Sequence, residues 1–181
     1  MKPTPTRSST QRGITLIEAA IVLAVTAIVA GSAAPSLQRL IDGRRLEGAA
    51  AQLAADIQFI RTEAVARNEA LRLSFHAATG GSCYVIHTGA ANECSCTASG
   101  PAQCSGGAHE IKTVTVAATD RVVVQANVGS LLFDPLHGTS SPTGTLRLIG
   151  TNERAIHHIV NIMGRVRSCS PQAAVPGYRA C

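Results

Sequence analysis

Arg165 and Arg167 stand two residues apart directly behind Gly164, in the run Gly-Arg-Val-Arg. In extended chain, side chains at that spacing project to the same side. The two guanidiniums are then roughly 6–7 Å apart, close to the separation of successive phosphates along a nucleic-acid strand. Arg also offers a planar fork of donors suited to bidentate contact with phosphate or carboxylate. Gly164 lets the backbone turn there or approach another surface closely. From Arg147 to the C-terminus, five arginines (Arg147, Arg154, Arg165, Arg167, Arg179) oppose one acid, Glu153, a net charge of +4 over 35 residues. Residues 73–146 carry two bases and four acids, so positive charge is concentrated at the end of the chain. About two to four phosphate contacts give weak binding without base-sequence preference, with a log–log salt slope of about −2 to −4. No aromatic lies within the Arg-x-Arg element and only Tyr178 is nearby. Stacking of single-stranded bases is therefore disfavoured, and double-stranded DNA is the expected polyanion. The plainer alternative is a set of solvated surface arginines.

Other chemistry is not apparent. The histidines are His76, His87, His109, His137, His157 and His158. None belongs to a zinc-protease motif, and no nucleophile elbow, P-loop or dinucleotide-binding glycine run is present. His157 and His158 are neighbours on an expected strand and face opposite sides, so they do not share a metal. The chain reads as a non-enzyme with no cofactor. Six cysteines (Cys83, Cys94, Cys96, Cys104, Cys169, Cys181) are set among Gly, Ser and Pro, a pattern of disulfides formed in an oxidising compartment. Cys169 and Cys181 are close to each other and far from the rest, which makes them the expected pair. A bridge there folds the tail back and brings Arg179 toward Arg165 and Arg167. Pairing among the other four stays open. A metal site from Cys94, Cys96, Cys104 and His109 is the competing reading, but its spacing matches no common zinc pattern.

The elements that position these groups begin with an unusual N-terminus. Residues 1–13 are polar and basic, with Lys2, Arg7 and Arg12 and no acid; removing them lowers the formal charge from +5 to +2. Residues 14–34, ITLIEAAIVLAVTAIVAGSAA, are nearly all apolar. At about 1.5 Å rise per residue such a helix spans a bilayer core of roughly 30 Å, and the basic flank keeps the N-terminus cytoplasmic. A carboxylate inside such a span, Glu18, requires a partner or a function. A basic leader, Gly13, and an apolar helix with Glu at its fifth position resemble the type IV prepilin signature, here Gly13-Ile14-Thr15-Leu16-Ile17-Glu18. The resemblance implies cleavage between Gly13 and Ile14 by a dedicated prepilin peptidase, methylation of the new amine, and a contact of Glu18 with the N-terminal amine of a neighbouring subunit. Pro35 falls where pilins often have a helix-kinking Pro, whereas Ile14 replaces the usual Phe. The simpler alternative is an uncut single-pass anchor.

From Ser36 to about Asn68 the pattern stays helical, with Leu53, Ile57, Ile60 and Ala64 spaced by threes and fours. Six arginines (Arg39, Arg44, Arg45, Arg61, Arg67, Arg72) and five acids (Asp42, Glu47, Asp56, Glu63, Glu69) balance there, which reads as a solvated face. Gly43 and Gly48 are expected weak points. Beyond Asn68 the period changes to two: Leu71, Leu73 and Phe75 alternate with Arg72, Ser74 and His76. Further strands are expected at 82–88, 111–117, 121–126, 130–134, 144–150 and 155–163, and 89–107 as a crosslinked surface loop. Only 3% of residues are aromatic and none is Trp, so aliphatic side chains have to fill most of the core. The fold class is α+β: a leader (1–13), a transmembrane and assembly helix (14–35), an amphipathic continuation (36–69), and an antiparallel β domain (70–181) with a disulfide-bonded loop at 83–104 and a basic tail.

The stretches DIQFIRTEAVARNEALRLSF and LLFDPLHGTSSPTGTLRL…RAIHHIVNIMGRVRSC are similar to the helix-to-strand passage and closing strands of the GspH/FimT family of minor pilins and pseudopilins, closest to its FimT-type members. In those members the Gly-Arg-x-Arg element is associated with DNA binding during natural transformation; Gly164, Arg165 and Arg167 match it. The resemblance implies a minor pilin held in the bacterial inner membrane with its globular domain in the periplasm, then assembled with other pilin subunits into a filament that takes up DNA. The alternative it implies is a structural type II secretion pseudopilin, or a pilus-priming minor pilin, with no DNA binding.

Overall fold

The structure, a computed structural model, describes residues 13, 15–78, 80–97 and 100–181. It divides into two compact units, Met1–Arg39 and Leu40–Cys181, and one helix, α1 (Leu16–Arg67), contributes to both. In the first unit every described residue is exposed, large aliphatic ones such as Leu16, Ile21, Leu23 and Ile28 included. This stretch is long and apolar enough to cross a membrane. Its hydroxyls are satisfied within the helix: Thr26 Oγ1 donates to the Val22 carbonyl (2.7 Å), Ser32 Oγ to that of Val29 (2.9 Å) and Ser36 Oγ to that of Ala33 (2.7 Å). Such back-bonding removes most of the cost of a polar group in an apolar setting. The helix continues through Pro35, Gly43 and Gly48.

In the second unit α1 turns one stripe inward. Leu46, Ala50, Leu53, Ile57, Ile60 and Ala64 are all buried, at the three- and four-residue spacing of one helix face. They meet two antiparallel sheets. The first contains β1 (Leu71–Ala78), β2 (Gly81–His87), β5 (Glu110–Ala117), β7 (Ser130–Phe133) and β8 (Ser140–Ser141), in the order β5-β2-β1-β7-β8. The second contains β6 (Val123–Ala126), β9 (Gly144–Ile149), β10 (Ala155–Val160) and β11 (Val166–Cys169), in the order β11-β10-β9-β6. Leu71, Leu73, Tyr84, Ile86, Leu131, Phe133, Leu146, Leu148 and Ile156 complete the core beneath the helix. This is the α+β architecture expected from the change in period.

Three expectations are corrected. Residues 89–107 are not merely loop: β3 (Cys94–Thr97) and β4 (Gly100–Cys104) form a hairpin within them. Two disulfides, Cys83–Cys96 and Cys94–Cys104, tie that hairpin internally and to β2, so each of the three sulfurs weighed as metal ligands is taken up in a disulfide. The strand expected over 155–163 ends at Val160, and a turn leads into β11, a separate strand. Asp56 is not on a solvated face; it is 3% exposed. Its Oδ1 pairs with Lys112 Nζ at 2.6 Å and its Oδ2 accepts from Tyr84 Oη at 2.8 Å. Burial and the adjacent Asp56 carboxylate push the Tyr84 phenol far above its ordinary range. A buried carboxylate needs such partners, and here they fasten the helix to β2 and β5.

His158 makes a second fastening. Its Nε2 lies 2.8 Å from the Ala50 carbonyl and its Nδ1 2.8 Å from Ser168 Oγ. A carbonyl can only accept, so Nε2 carries the proton and Nδ1 accepts from the Ser168 hydroxyl. Helix, β10 and β11 are thereby linked through one neutral imidazole, and β11 is the strand that carries Arg167.

Candidate nucleic-acid interface

The Gly-Arg-Val-Arg element is the descending limb of the β10–β11 hairpin. Asn161 N–H donates to the Arg165 carbonyl (3.1 Å) and Gly164 N–H to that of Asn161 (2.9 Å). Asn161 Oδ1 accepts from Arg165 N–H at 3.0 Å, an Asn used for local turn bonding. Gly164 has φ +67°, and a Cβ there would lie 2.6 Å from the Gly138 carbonyl and 3.0 Å from Arg61 Cδ. Arg61 Nε in turn donates to that Gly138 carbonyl at 3.1 Å. Gly164 is buried; it shapes the turn and does not itself face a ligand. Arg165 and Arg167 are exposed, while Val166 between them packs on the core.

The strand register shows what surrounds Arg167. It pairs with Ile159, which pairs with Thr145. One step along, Cys169 pairs with His157, His157 with Arg147, and Arg147 with Gln125. These residues form the outer face of the second sheet; Val124, Leu146, Leu148, Ile156 and Val160 form its inner face. Arg147 is thus on the same outer face as Arg167, two strands away. Arg147 belongs to the basic end of the chain but lies outside the Gly-Arg-Val-Arg element. Its signal is the alternation in β9, where Leu146 and Leu148 are buried on either side of an exposed Arg147. His157, half-buried on this face, is held below the ordinary imidazole range by burial and by neighbouring Arg147.

Cys169 and Cys181 are bonded to each other. Ser170 N–H donates to the Arg179 carbonyl (2.8 Å) and Cys181 N–H to that of Ser170 (3.2 Å), so the tail runs parallel to the chain just past β11. Arg179 is exposed. Its backbone is placed beside Ser170, three residues beyond Arg167, rather than next to Arg165. Tyr178 is partly buried against the core, and burial and Glu47 raise its pKa.

Ten of the twelve described arginines fall into two groups, and Arg39 and Arg154 are engaged elsewhere. Arg44 and Arg67 pair with Glu47 and Glu63, Arg121 with Asp42. Arg45, Arg61 and Arg72 donate to the carbonyls of Thr119, Gly138 and Gly89. Among the described residues, no hydrogen bond or ion pair engages the guanidiniums of Arg147, Arg165, Arg167 and Arg179, all four of which are exposed. Strands β6, β9, β10 and β11 contain no Asp or Glu. A face with several free cations and no acid within its strands can neutralise the phosphates of a polyanion.

At the other end of the chain Gly13 is exposed, and Ile14 lies outside the described residues. Glu18 is in the first turn of α1, and its N–H donates to Thr15 Oγ1 at 3.3 Å. Thr15 thus caps the helix, and Glu18 is at the third helical position, where a negative charge is favourable.

No curated protein matches the chain in sequence. The family model for the prokaryotic N-terminal methylation motif matches residues 8–34, which include Gly13 and Glu18. The family model for type II transport protein GspH matches residues 49–164. Among solved structures, two crystal forms of the Pseudomonas aeruginosa type IV minor pilin FimU are similar. One is 18% identical with a TM-score of 0.54, over 71% of this chain and 94% of that chain. The other is 19% identical with a TM-score of 0.51, over 70% and 98%. At such identity the likeness is one of fold, a long N-terminal helix with antiparallel sheets. With its N-terminal methylation motif and the GspH match across most of its length, the chain belongs to the GspH family.

Proposed function

We propose that the protein is a FimT-type minor pilin that binds double-stranded DNA weakly and without sequence preference, for uptake in natural transformation. The observation that supports this best is the group of four exposed, unpaired arginines around a sheet whose strands carry no acid. Arg165 and Arg167 take phosphates of one strand, Arg147 and Arg179 extend the contact, and Gly164 holds the turn that presents them. The chain acts as a subunit and a binding surface, not as a catalyst, and needs no cofactor. A prepilin peptidase removes residues 1–13, cutting between Gly13 and Ile14. The apolar helix stays in the inner membrane, N-terminus in the cytoplasm and globular unit in the periplasm, until Glu18 meets the amine of a neighbouring subunit during assembly.

A second reading, a structural type II secretion pseudopilin, is favoured by the description of the matching family as a type II transport protein. The two part on DNA. The unit Leu40–Cys181 contains the whole buried core and all three disulfides, so it can be assayed by gel shift with a duplex at low salt. Retardation that weakens about tenfold in Arg165→Ala/Arg167→Ala supports the site. Unchanged binding in that variant removes the site assignment, and no binding by the parent unit removes the function. For processing, mass spectrometry of the membrane-purified chain is expected to show a mature N-terminus at Ile14. An N-terminus at Met1, with Glu18→Leu entering filaments normally, contradicts the assembly reading.

A further inference from the structure

Hairpin turns in water are usually polar at their tips. The β10–β11 turn keeps turn-forming residues at its ends, Asn161 and Gly164, but its two central residues are Ile162, 63% exposed, and Met163, 51% exposed. Their backbone is fixed from several sides. Ser140 N–H donates to the Ile162 carbonyl (2.9 Å), Ser140 Oγ to the Asn161 carbonyl (2.7 Å), and Gly164 is wedged beneath Gly138 and Arg61. The loop bonded to the turn carries a third exposed aliphatic, Leu136, 72% exposed. The one carboxylate in that loop, Asp134, has its Oδ1 occupied by the N–H groups of Leu136 and His137 and by His137 Nδ1. A held apolar tip therefore leads directly into Arg165 and Arg167.

We propose that Ile162 and Met163 form an apolar wedge that enters the minor groove of double-stranded DNA and partly unstacks a base step, while Arg165 and Arg167 hold the adjoining phosphates. The inference rests on the DNA-binding reading above and names the contact it lacks. Phosphate contacts alone position a protein; an aliphatic pair placed between base steps anchors it by burying apolar surface that water otherwise covers. A flat anionic lipid surface also accepts a tip of this kind. The charge layout favours DNA: beyond Arg165 the cations continue along β11, and Arg179 lies beside Ser170, roughly 16 Å of strand past Arg165 and farther still from the tip. That exceeds a Debye length of about 8 Å, so a bilayer touching the tip leaves the far arginines unused, whereas a duplex lying along the strand reaches them.

The test uses the full chain in detergent micelles, with a short duplex carrying 2-aminopurine and a series of salt concentrations. The wild type is expected to raise 2-aminopurine fluorescence as the step unstacks. Ile162→Ser/Met163→Ser is expected to abolish that rise and weaken binding about tenfold, the loss when two partly buried apolar side chains return to water. Its salt slope stays the same, because no phosphate contact is removed. Arg165→Ala/Arg167→Ala separates the two claims, since it makes the slope shallower. Tip-variant affinity within about twofold of wild type, with the fluorescence rise intact, overturns the wedge and leaves the arginine site standing. Tip-dependent binding to phosphatidylserine vesicles alongside tip-independent binding to DNA assigns the tip to lipid and likewise overturns it. No DNA binding by the wild type overturns both the wedge and the proposed function.

Discussion

Arg147 on β9 and Arg167 on β11 project from the same outer face of the second sheet, with His157 and Ile159 of β10 between them. By ladder spacing they are roughly 10 Å apart across the strands and 7 Å along them. Twenty residues separate them in the sequence, and only the pairing of three strands brings them together. The basic surface is therefore a property of the sheet and wider than the Gly-Arg-Val-Arg element.

Arg147→Ala follows from that placement. The side chain is exposed and unpaired, so its removal is expected to leave the urea midpoint unchanged while weakening duplex binding by roughly fivefold and the salt slope by about 0.9. Fluorescence anisotropy at two salt concentrations measures both. Full affinity in this variant confines the site to β11.

Gly164→Ala acts differently. The backbone has φ +67°, and the new methyl meets the Gly138 carbonyl. Strain in the left-handed region and the forced separation of the two turns are expected to cost about 2 kcal/mol. Urea unfolding of the unit Leu40–Cys181 reads it directly. An unchanged midpoint shows that the turn relaxes without penalty.

Acid sensitivity follows from His158 and His87. Both are buried, and burial is the largest cause of their lowered pKa, below the ordinary 6.5. His87 Nδ1 donates to the Thr88 carbonyl at 2.7 Å, and Nε2 accepts from Ser74 Oγ at 2.8 Å, so it too is neutral. The unfolded chain takes up protons that the folded chain does not. Their contribution is fully present above about pH 6.5 and is lost as pH falls through the lower, folded values. Urea midpoints are expected to fall between about pH 7.5 and about pH 5. His158→Asn lowers stability at the higher pH and flattens the decline.

Release of the tail tests whether the Cys169–Cys181 bridge positions Arg179. Cys169→Ser/Cys181→Ser is expected to weaken DNA binding by the same factor as Arg179→Ala, with no further loss when the changes are combined. The backbone bonds at Ser170 and the buried Val175 keep much of the tail in place, so the effect is expected to be small, about twofold to threefold, as for part of one phosphate contact. A loss from the bridge variant with none from Arg179→Ala assigns the bridge to stability alone.

Much of the fold was legible because it rests on periodicity. The stripe Leu53, Ile57, Ile60, Ala64 and the alternation Leu71, Leu73 with Arg72, Ser74 carry the helix and first strand. What escaped has a different origin. The β3–β4 hairpin is built from Cys, Ser, Thr, Gly, Pro, Ala and Gln, and its buried residues are the half-cystines Cys94 and Cys96 rather than large aliphatics, so no hydrophobic alternation marks it. In β11 the only aliphatic residue is Val166. Asp56 read as solvated because its partners, Tyr84 and Lys112, are 28 and 56 residues away. Arg165 and Arg167 were visible as a motif. The exposed tip before them became visible only once Val160 was seen to end its strand.

The most direct test of the arginine face is the slope of log K against log salt for duplex binding by the unit Leu40–Cys181. With all four arginines present the slope is expected near −2 to −4, and Arg165→Ala/Arg167→Ala is expected to make it about 1.8 shallower. A slope near zero, or one that the double variant leaves unchanged, contradicts the claim that these guanidiniums neutralise phosphates.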